Sequence, residues 1–219
     1  MEYPYLLFDL DGTLSNSAEG ITNAVTYALE RMGIEPPPKQ DLMHFIGPPL
    51  IRTFTRDYDL TQEEGQRAVA FYREYYNVKG VFECEAYEGI ERLLKTLQDR
   101  GYRMAVATCK PTVTAAKAVN YLGLAPYFEM ISGPEFDGTR NEKHEVIAYA
   151  MEKLGLEDPD RILMVGDRRD DVLGAARCGI GCAGVLWGFG SEQELLEAGA
   201  IKTVKAPDEL LDFVENFIA

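Results

Sequence analysis

"YLLFDLDGTLSNS", residues 5–17, decides how the rest of the chain is read. Tyr5, Leu6, Leu7, Phe8 and Leu10 form a near-continuous apolar run, the pattern of a strand buried on both faces of a parallel sheet. Asp9 and Asp11 stand at its C-terminal end, where open α/β sheets place their ligands. An Asp-Gly turn closing the strand accounts for Asp11-Gly12. It leaves Asp9, inside the apolar run, without a structural reason.

Beyond Leu14 the periodicity becomes helical. Ile21, Ala24, Val25, Ala28, Leu29 and Met32 share one face of a helix over 18–32 that Gly33 can cap. Pro36, Pro37 and Pro38 break it. A short helix ending at "HFIGPPL", another within 49–58 and a long one opened by a Thr61–Glu64 capping box follow. With no strand among them, residues 16–84 are expected to form a separate helical unit. Strands and helices then alternate: "EGIERLLKTLQDRG" helix, "YRMAVATCK" strand, "PTVTAAKAVNYLGL" helix with Pro111 first, "FEMISG" strand, "EKHEVIAYAMEKLG" helix. "RILMVGD" strand, "DDVLGAARCG" helix, "GCAGVLW" strand, "SEQELLEAG" helix with a Ser191–Glu194 capping box, "IKTVK" strand and "PDELLDFVENFI" helix complete the series. The fold class is therefore α/β: a doubly wound parallel sheet of residues 1–15 and 85–219, with an all-helical unit inserted after its first strand.

Composition narrows the function. The chain of 219 residues is 46% hydrophobic and 26% charged, ordinary for a globular protein without a disulfide framework. Its four cysteines lack paired CxxC spacing and its histidines are only two, which argues against a zinc site. A net charge of −14, from 36 acids and 22 bases, argues against a nucleic-acid surface. No membrane-length apolar run or basic leader is evident, so a cytoplasmic protein without membrane partners is expected, with a monomer as the favoured state. Any anionic ligand must be met locally, by a divalent cation and a few fixed donors.

The predicted strand ends gather those groups. Asp9 and Asp11 follow the first strand, Thr108 follows "YRMAVA", Asp167 and Asp171 follow "RILMVG", and Lys143 opens the intervening helix. Parallel strands share a C-terminal edge, so these residues converge there as a rule of topology. Each has a plainer reading: Thr108 can simply end a strand, and Asp170 and Asp171 suit a helix N-terminus. Lys143 could be an exposed first-turn residue, although a cation there opposes the helix dipole unless an anion meets it. Cys109 reads as a packed thiol, because no histidine is placed to activate it.

Asp9-x-Asp11-Gly12-Thr13, then Thr108, then Lys143, then Gly166-Asp167-x-x-x-Asp171, in this order, resemble the haloacid dehalogenase-like hydrolases, specifically their phosphatases, over essentially the full chain. The resemblance implies a Rossmann-like core with a helical cap. It makes Asp9 the nucleophile of an aspartyl-phosphate intermediate and Asp11 the acid/base. Mg²⁺ would be held by Asp9, Asp167 and the Asp11 carbonyl, with Asp171 touching the ion or its waters. Thr108 and Lys143 would complete the catalytic set, and Gly12, Thr13, Cys109 and Lys110 would face the phosphoryl group. In the cap, the loop with His44, Phe45 and Gly47 would meet the leaving group. Residue type alone is equally consistent with Phe45 packing inside the cap.

The second acid speaks for phosphoryl transfer over dehalogenation, and Thr13 for a phosphatase over a sugar-phosphate mutase. "HFIGPPL", "VATCKP", "DGTRNEK", "GDRRDDVLGA" and "LWGFGSEQELLEAGA" resemble the branch of 5'-nucleotidases and phosphoglycolate phosphatases. A small phosphometabolite is the expected substrate, a nucleoside 5'-monophosphate favoured and phosphoglycolate or another sugar or organic-acid phosphate the alternative. A non-enzymatic Mg²⁺-dependent receiver domain also joins acids, Thr and Lys on a parallel sheet. Its acids are adjacent and its phosphorylated Asp lies on a later strand, unlike Asp9-x-Asp11.

Overall fold

A computed structural model describes residues 5–136 and 138–216. Asp137, within the "DGTRNEK" stretch, and the expected continuation of the last helix to Ile218 lie outside these residues. Strands are β1 (Tyr5–Phe8), β2 (Ser15–Asn16), β3 (Glu85–Ala86), β4 (Arg103–Ala107), β5 (Ile131–Ser132), β6 (Ile162–Gly166), β7 (Gly181–Val185) and β8 (Lys202–Val204). Helices are α1 (Ala18–Met32), α2 (Leu50–Asp57), α3 (Gln62–Tyr76), α4 (Ile90–Asp99), α5 (Thr112–Tyr121), α6 (Lys143–Leu154), α7 (Arg169–Arg177), α8 (Glu192–Ala198) and α9 (Pro207–Asn216). Packing divides the chain into Met1–Ser15 with Ala86–Ala219, and Asn16–Glu85. No helix among the described residues is long and apolar enough to cross a membrane.

In the first unit six parallel strands run in the order β5-β4-β1-β6-β7-β8. Register sets Leu7 beside Ala105 and Met164, and Met164 beside Cys182. These side chains share one face and pack with Val146 and Ile147 of α6 and Val172 and Ala175 of α7. Their neighbours Leu6, Phe8, Met104, Val106, Leu163 and Val165 point to the opposite face by strand alternation and are equally buried. Burial on both faces explains why β1 reads as continuous apolar residues, each large one stabilising by about 1.5–3 kcal/mol. The doubly wound parallel sheet expected from the alternating pattern is the fold observed.

Three local expectations shift. Pro111 is the N-cap of α5 and not its first helical residue, with ψ 136 keeping it extended. The strand predicted over "FEMISG" shortens to β5 at the sheet edge, although Glu129 N–H still donates to the Met104 carbonyl at 2.8 Å. At α8 the cap is half of the predicted box. Ser191 Oγ accepts from Glu194 N–H at 3.1 Å, while the Glu194 carboxylate accepts from Arg168 Nε at 3.0 Å and Arg169 N–H at 2.9 Å.

The helical unit is built on α1 against α3. Gly33 closes α1 in the left-handed region at φ 75, and the Thr61–Glu64 capping box of α3 is complete. Gly20 of α1 lies so close to the Gly80 carbonyl that a Cβ there would sit 2.0 Å from the oxygen, so glycine is required. Glu83 accepts from Asn23 Nδ2 at 2.9 Å and from the Tyr75 hydroxyl at 3.0 Å, tying α1, α3 and the chain after them.

Candidate active site

Pairing of Phe8 with Val106 and with Val165 sets the ends of β1, β4 and β6 level. The residues leaving those strands therefore meet at one edge. Asp9, Asp11, Thr13, Thr108, Lys110, Lys143, Asp167 and Asp171 are all buried. After Leu10 the chain turns sharply, with Gly12 N–H donating to the Ser15 carbonyl at 2.8 Å and Leu14 N–H to the Leu10 carbonyl at 3.0 Å. Gly12 has φ 88, and a Cβ on it would lie 2.2 Å from Asp167 Oδ2. Both constraints demand glycine there.

Lys143, the first residue of α6, is the hub. Its Nζ donates to Asp9 Oδ1 at 2.6 Å and to the Ala107 carbonyl at 2.9 Å, and it pairs with Asp171 Oδ1 at 2.6 Å. A cation in a first helical turn is opposed by the dipole, and the two carboxylates outweigh that cost. Burial works against the ammonium, but Asp171 and Asp9 together hold its pKa well above the ordinary lysine value. The second oxygen of Asp171 accepts from Arg168 N–H at 3.0 Å, which seats Asp171 in the first turn of α7. Gly166 permits this approach: a Cβ on it would meet the Asp171 Cγ at 2.3 Å.

Asp167 is held from both sides. Thr13 Oγ1 donates to its Oδ1 at 3.3 Å and Phe189 N–H to its Oδ2 at 2.8 Å. Asp11 pairs with Lys110 at 2.5 Å, so the lysine expected to face a phosphoryl group rests on the second acid. Thr108 N–H donates to the Ser132 carbonyl at 2.9 Å, and its Oγ1 accepts from Lys110 N–H at 3.2 Å. Cys109 is half-buried, and its thiol is pushed up to about 12, chiefly by desolvation, which suits a packed side chain and not a nucleophile.

Four carboxylates against two ammoniums leave an excess of buried negative charge. Desolvation, countered by Lys143, pushes Asp9 up to about 6, and Asp171 and Asp11 add to the rise. Asp167 lies well above the ordinary carboxylate range for the same reason, with Asp171 and Asp9 adding repulsion. Asp9, Asp167 and Asp171 each offer a ligand oxygen, and these atoms lie within 4.8 Å of one another. Hard oxygen donors with surplus charge fit a small divalent cation, and Mg²⁺ satisfies both demands.

His44, Phe45 and Gly47 belong to the helical unit. His44 Nε2 lies 2.7 Å from Asp57 Oδ2, and Gly47 takes φ 104. Phe45 is 1% exposed, with its ring 4.9 Å from that of Phe54 and 6.4 Å from that of Tyr58. The ring expected to offer a stacking face is thus enclosed by the unit's own aromatics. Trp187, Gly188, Phe189 and Gly190, which the sequence marks only through the branch resemblance of "LWGFGSEQELLEAGA" and not as site residues, reach Asp167 and Thr13 from the loop after β7. Two glycines alternating with two aromatics were the available signal.

The family described as haloacid dehalogenase-like hydrolase matches residues 6–185. The chain is 45% identical over 195 residues to a 5'-nucleotidase of Pseudomonas aeruginosa, covering 89% of this chain and 88% of that protein. It is 41% identical over 191 residues to the tyrosine-protein kinase PtkA of Mycobacterium tuberculosis, covering 86% of this chain and 64% of that protein. Its fold is similar to a crystal structure of a predicted phosphatase from Clostridium acetobutylicum, with a TM-score of 0.94, 43% identity and coverage of 99% and 100%. Proteins of this family generally use Mg²⁺. The chain belongs to the haloacid dehalogenase-like hydrolases and is a phosphatase, a phosphoric monoester hydrolase, of that family.

Proposed function

We propose that the chain hydrolyses a small phosphomonoester in two displacements at Asp9, with Mg²⁺ bound and a nucleoside 5'-monophosphate as the favoured substrate. The observation that carries this reading is the buried triad of Asp9, Lys143 and Asp171, with two 2.6 Å contacts fixing a carboxylate at the end of the central strand. A carboxylate so held is oriented for attack and cannot swing away.

In the first displacement an oxygen of Asp9 bonds to phosphorus as the bond to the leaving oxygen breaks. Asp11 then hands its proton to that oxygen, releasing the alcohol. In the second, Asp11 takes a proton from water as the water oxygen attacks phosphorus, which frees phosphate and restores Asp9. Lys110 has to exchange Asp11 for the incoming phosphoryl oxygens, which places it as the local switch between resting and loaded states. Thr108 and the backbone N–H groups of the loop after β1 meet the phosphoryl oxygens as charge builds. Asp9, Asp167 and the Asp11 carbonyl would hold Mg²⁺, with Asp171 bonded to it directly or through water; the bound ion supplies charge neutralisation of the phosphoryl oxygens.

The nucleotide preference is supported by the 45% identity to a protein named 5'-nucleotidase. A phosphoglycolate or other sugar or organic-acid phosphatase is the alternative. The test is steady-state turnover with Mg²⁺ on p-nitrophenyl phosphate, the nucleoside 5'-monophosphates and phosphoglycolate. A kcat/KM for a nucleotide at least tenfold above phosphoglycolate is expected. The reverse order overturns the substrate reading, and no turnover on any of them overturns the activity.

A further inference from the structure

We propose that the loop Trp187–Gly190 is a clamp that positions Asp167 for the cation, so that these residues set metal affinity without touching metal or substrate. The inference rests on the Mg²⁺ reading above. The loop grips both flanks of the site. Trp187 Nε1 donates to the Thr13 carbonyl at 2.9 Å, and Phe189 N–H donates to Asp167 Oδ2 at 2.8 Å. Thr13, held by the indole, in turn donates its hydroxyl to Asp167 Oδ1 at 3.3 Å. Both oxygens of Asp167 therefore receive one fixed donor, and both donors depend on this loop.

The two glycines are what allow the loop to come so close. A Cβ on Gly188 would lie 2.3 Å from the Gly12 carbonyl and 2.4 Å from the Asp167 Cβ. A Cβ on Gly190 would lie 1.9 Å from the Asp167 backbone oxygen. Neither obstacle is the end of a flexible side chain, so a methyl group at either position forces the loop backbone away from Asp167. Turn geometry alone does not require such proximity, since neither glycine has a positive φ. The requirement is the approach itself. Second-layer groups that orient a metal-binding carboxylate typically change metal affinity by about 10- to 100-fold when lost.

The experiment is isothermal titration calorimetry of the full chain with Mg²⁺ alone, comparing wild type with Gly190→Ala, Trp187→Phe and Leu210→Ala. Leu210 is a fully buried side chain of α9, chosen as a control that lowers stability away from the loop. Gly190→Ala is expected to weaken Mg²⁺ binding about tenfold or more. Trp187→Phe keeps a ring and loses one donor, for an expected weakening of about 2- to 10-fold, the worth of one hydrogen bond. Leu210→Ala should lower Tm and leave the Mg²⁺ Kd at the wild-type value. If Gly190→Ala does not fold, Trp187→Phe alone decides. An unchanged Kd in the folded loop variants, or an equal weakening in Leu210→Ala, overturns the clamp. Wild-type protein that binds no Mg²⁺ overturns the metal reading and the clamp with it.

Discussion

Lys143→Met removes a buried ammonium while nearly preserving side-chain volume, so its effect isolates charge. Lys143 contacts Asp9 and Asp171 at 2.6 Å each, and all three side chains are nearly inaccessible. At an effective dielectric constant of about 20, each pair is worth about 6 kcal/mol of gross attraction. Desolvation of the three ions offsets most of this. Removing one member of a buried pair nevertheless costs about 3–5 kcal/mol, because the partners remain buried and uncompensated. The Ala107 carbonyl also loses its donor. The sign with pH follows from Asp9, whose folded pKa of about 6 exceeds its unfolded value of 3.8. Stability from its protonated form is complete below the unfolded value and is lost as pH rises through about 6. Without the ammonium Asp9 rises further, so the variant is hurt most at pH 8, where the fold must hold bare charges. At pH 5 Asp9 takes up a proton and part of the loss disappears. Urea unfolding of wild type and variant in metal-free buffer, at pH 5 and pH 8, measures this. A loss of about 3–5 kcal/mol at pH 8 that shrinks at pH 5 is expected. A loss below about 1 kcal/mol, or one independent of pH, would refute the account of Lys143 as the group that makes the acid cluster tolerable.

Asp9→Asn is expected to abolish phosphomonoesterase turnover, since it removes the attacking oxygen's charge and a cation ligand together; wild-type-like rates would sink the assignment of Asp9. Asp11→Asn should slow attack by water more than loss of a good leaving group, so a phosphoryl adduct on Asp9 accumulates. Mass spectrometry after rapid acid quench that finds leaving-group release without an adduct would count against Asp11 as the base. Saturating Mg²⁺, at about 100 times its Kd, should raise Tm by about 5–10 °C at pH 8. The increment should fall at pH 5, because a proton on Asp9 competes with the ion, and equal increments in differential scanning calorimetry would contradict that competition. Phe45→Ala opens a cavity among Phe54 and Tyr58 and should cost about 3–5 kcal/mol, with the helical unit melting first. A stable variant with KM raised for the nucleotide alone would show that the ring works on substrate after all.

Much of the architecture was legible because it follows from short-range rules. Apolar runs with acids at their ends identified β1 and β6, helical periodicity found α1, and the Thr61–Glu64 box marked the start of α3. Boundaries drifted where tertiary partners compete with local ones. Glu194 had the right spacing to close a capping box with Ser191, yet its carboxylate went to Arg168 Nε and Arg169 N–H. An ionised donor and an unsatisfied first-turn N–H outbid the residue three positions back. Likewise β5 is short because an edge strand has a ladder on one side only.

By itself the sequence determined that Asp9, Thr108 and Asp167 share one edge, since parallel strands that end at adjacent registers must deliver their next residues together. It also determined the residue types available there, four acids and two lysines. The tertiary structure alone decided how they pair: Lys143 between Asp9 and Asp171, Lys110 on Asp11, and Phe189 N–H on Asp167. It also placed Phe45 inside the helical unit, where residue type had been neutral between packing and recognition. Pairing of this kind depends on contacts of 2.5 to 2.8 Å between residues 22 to 134 positions apart. No periodicity or spacing encodes such distances, because they are set by the summed packing of the helices on the sheet.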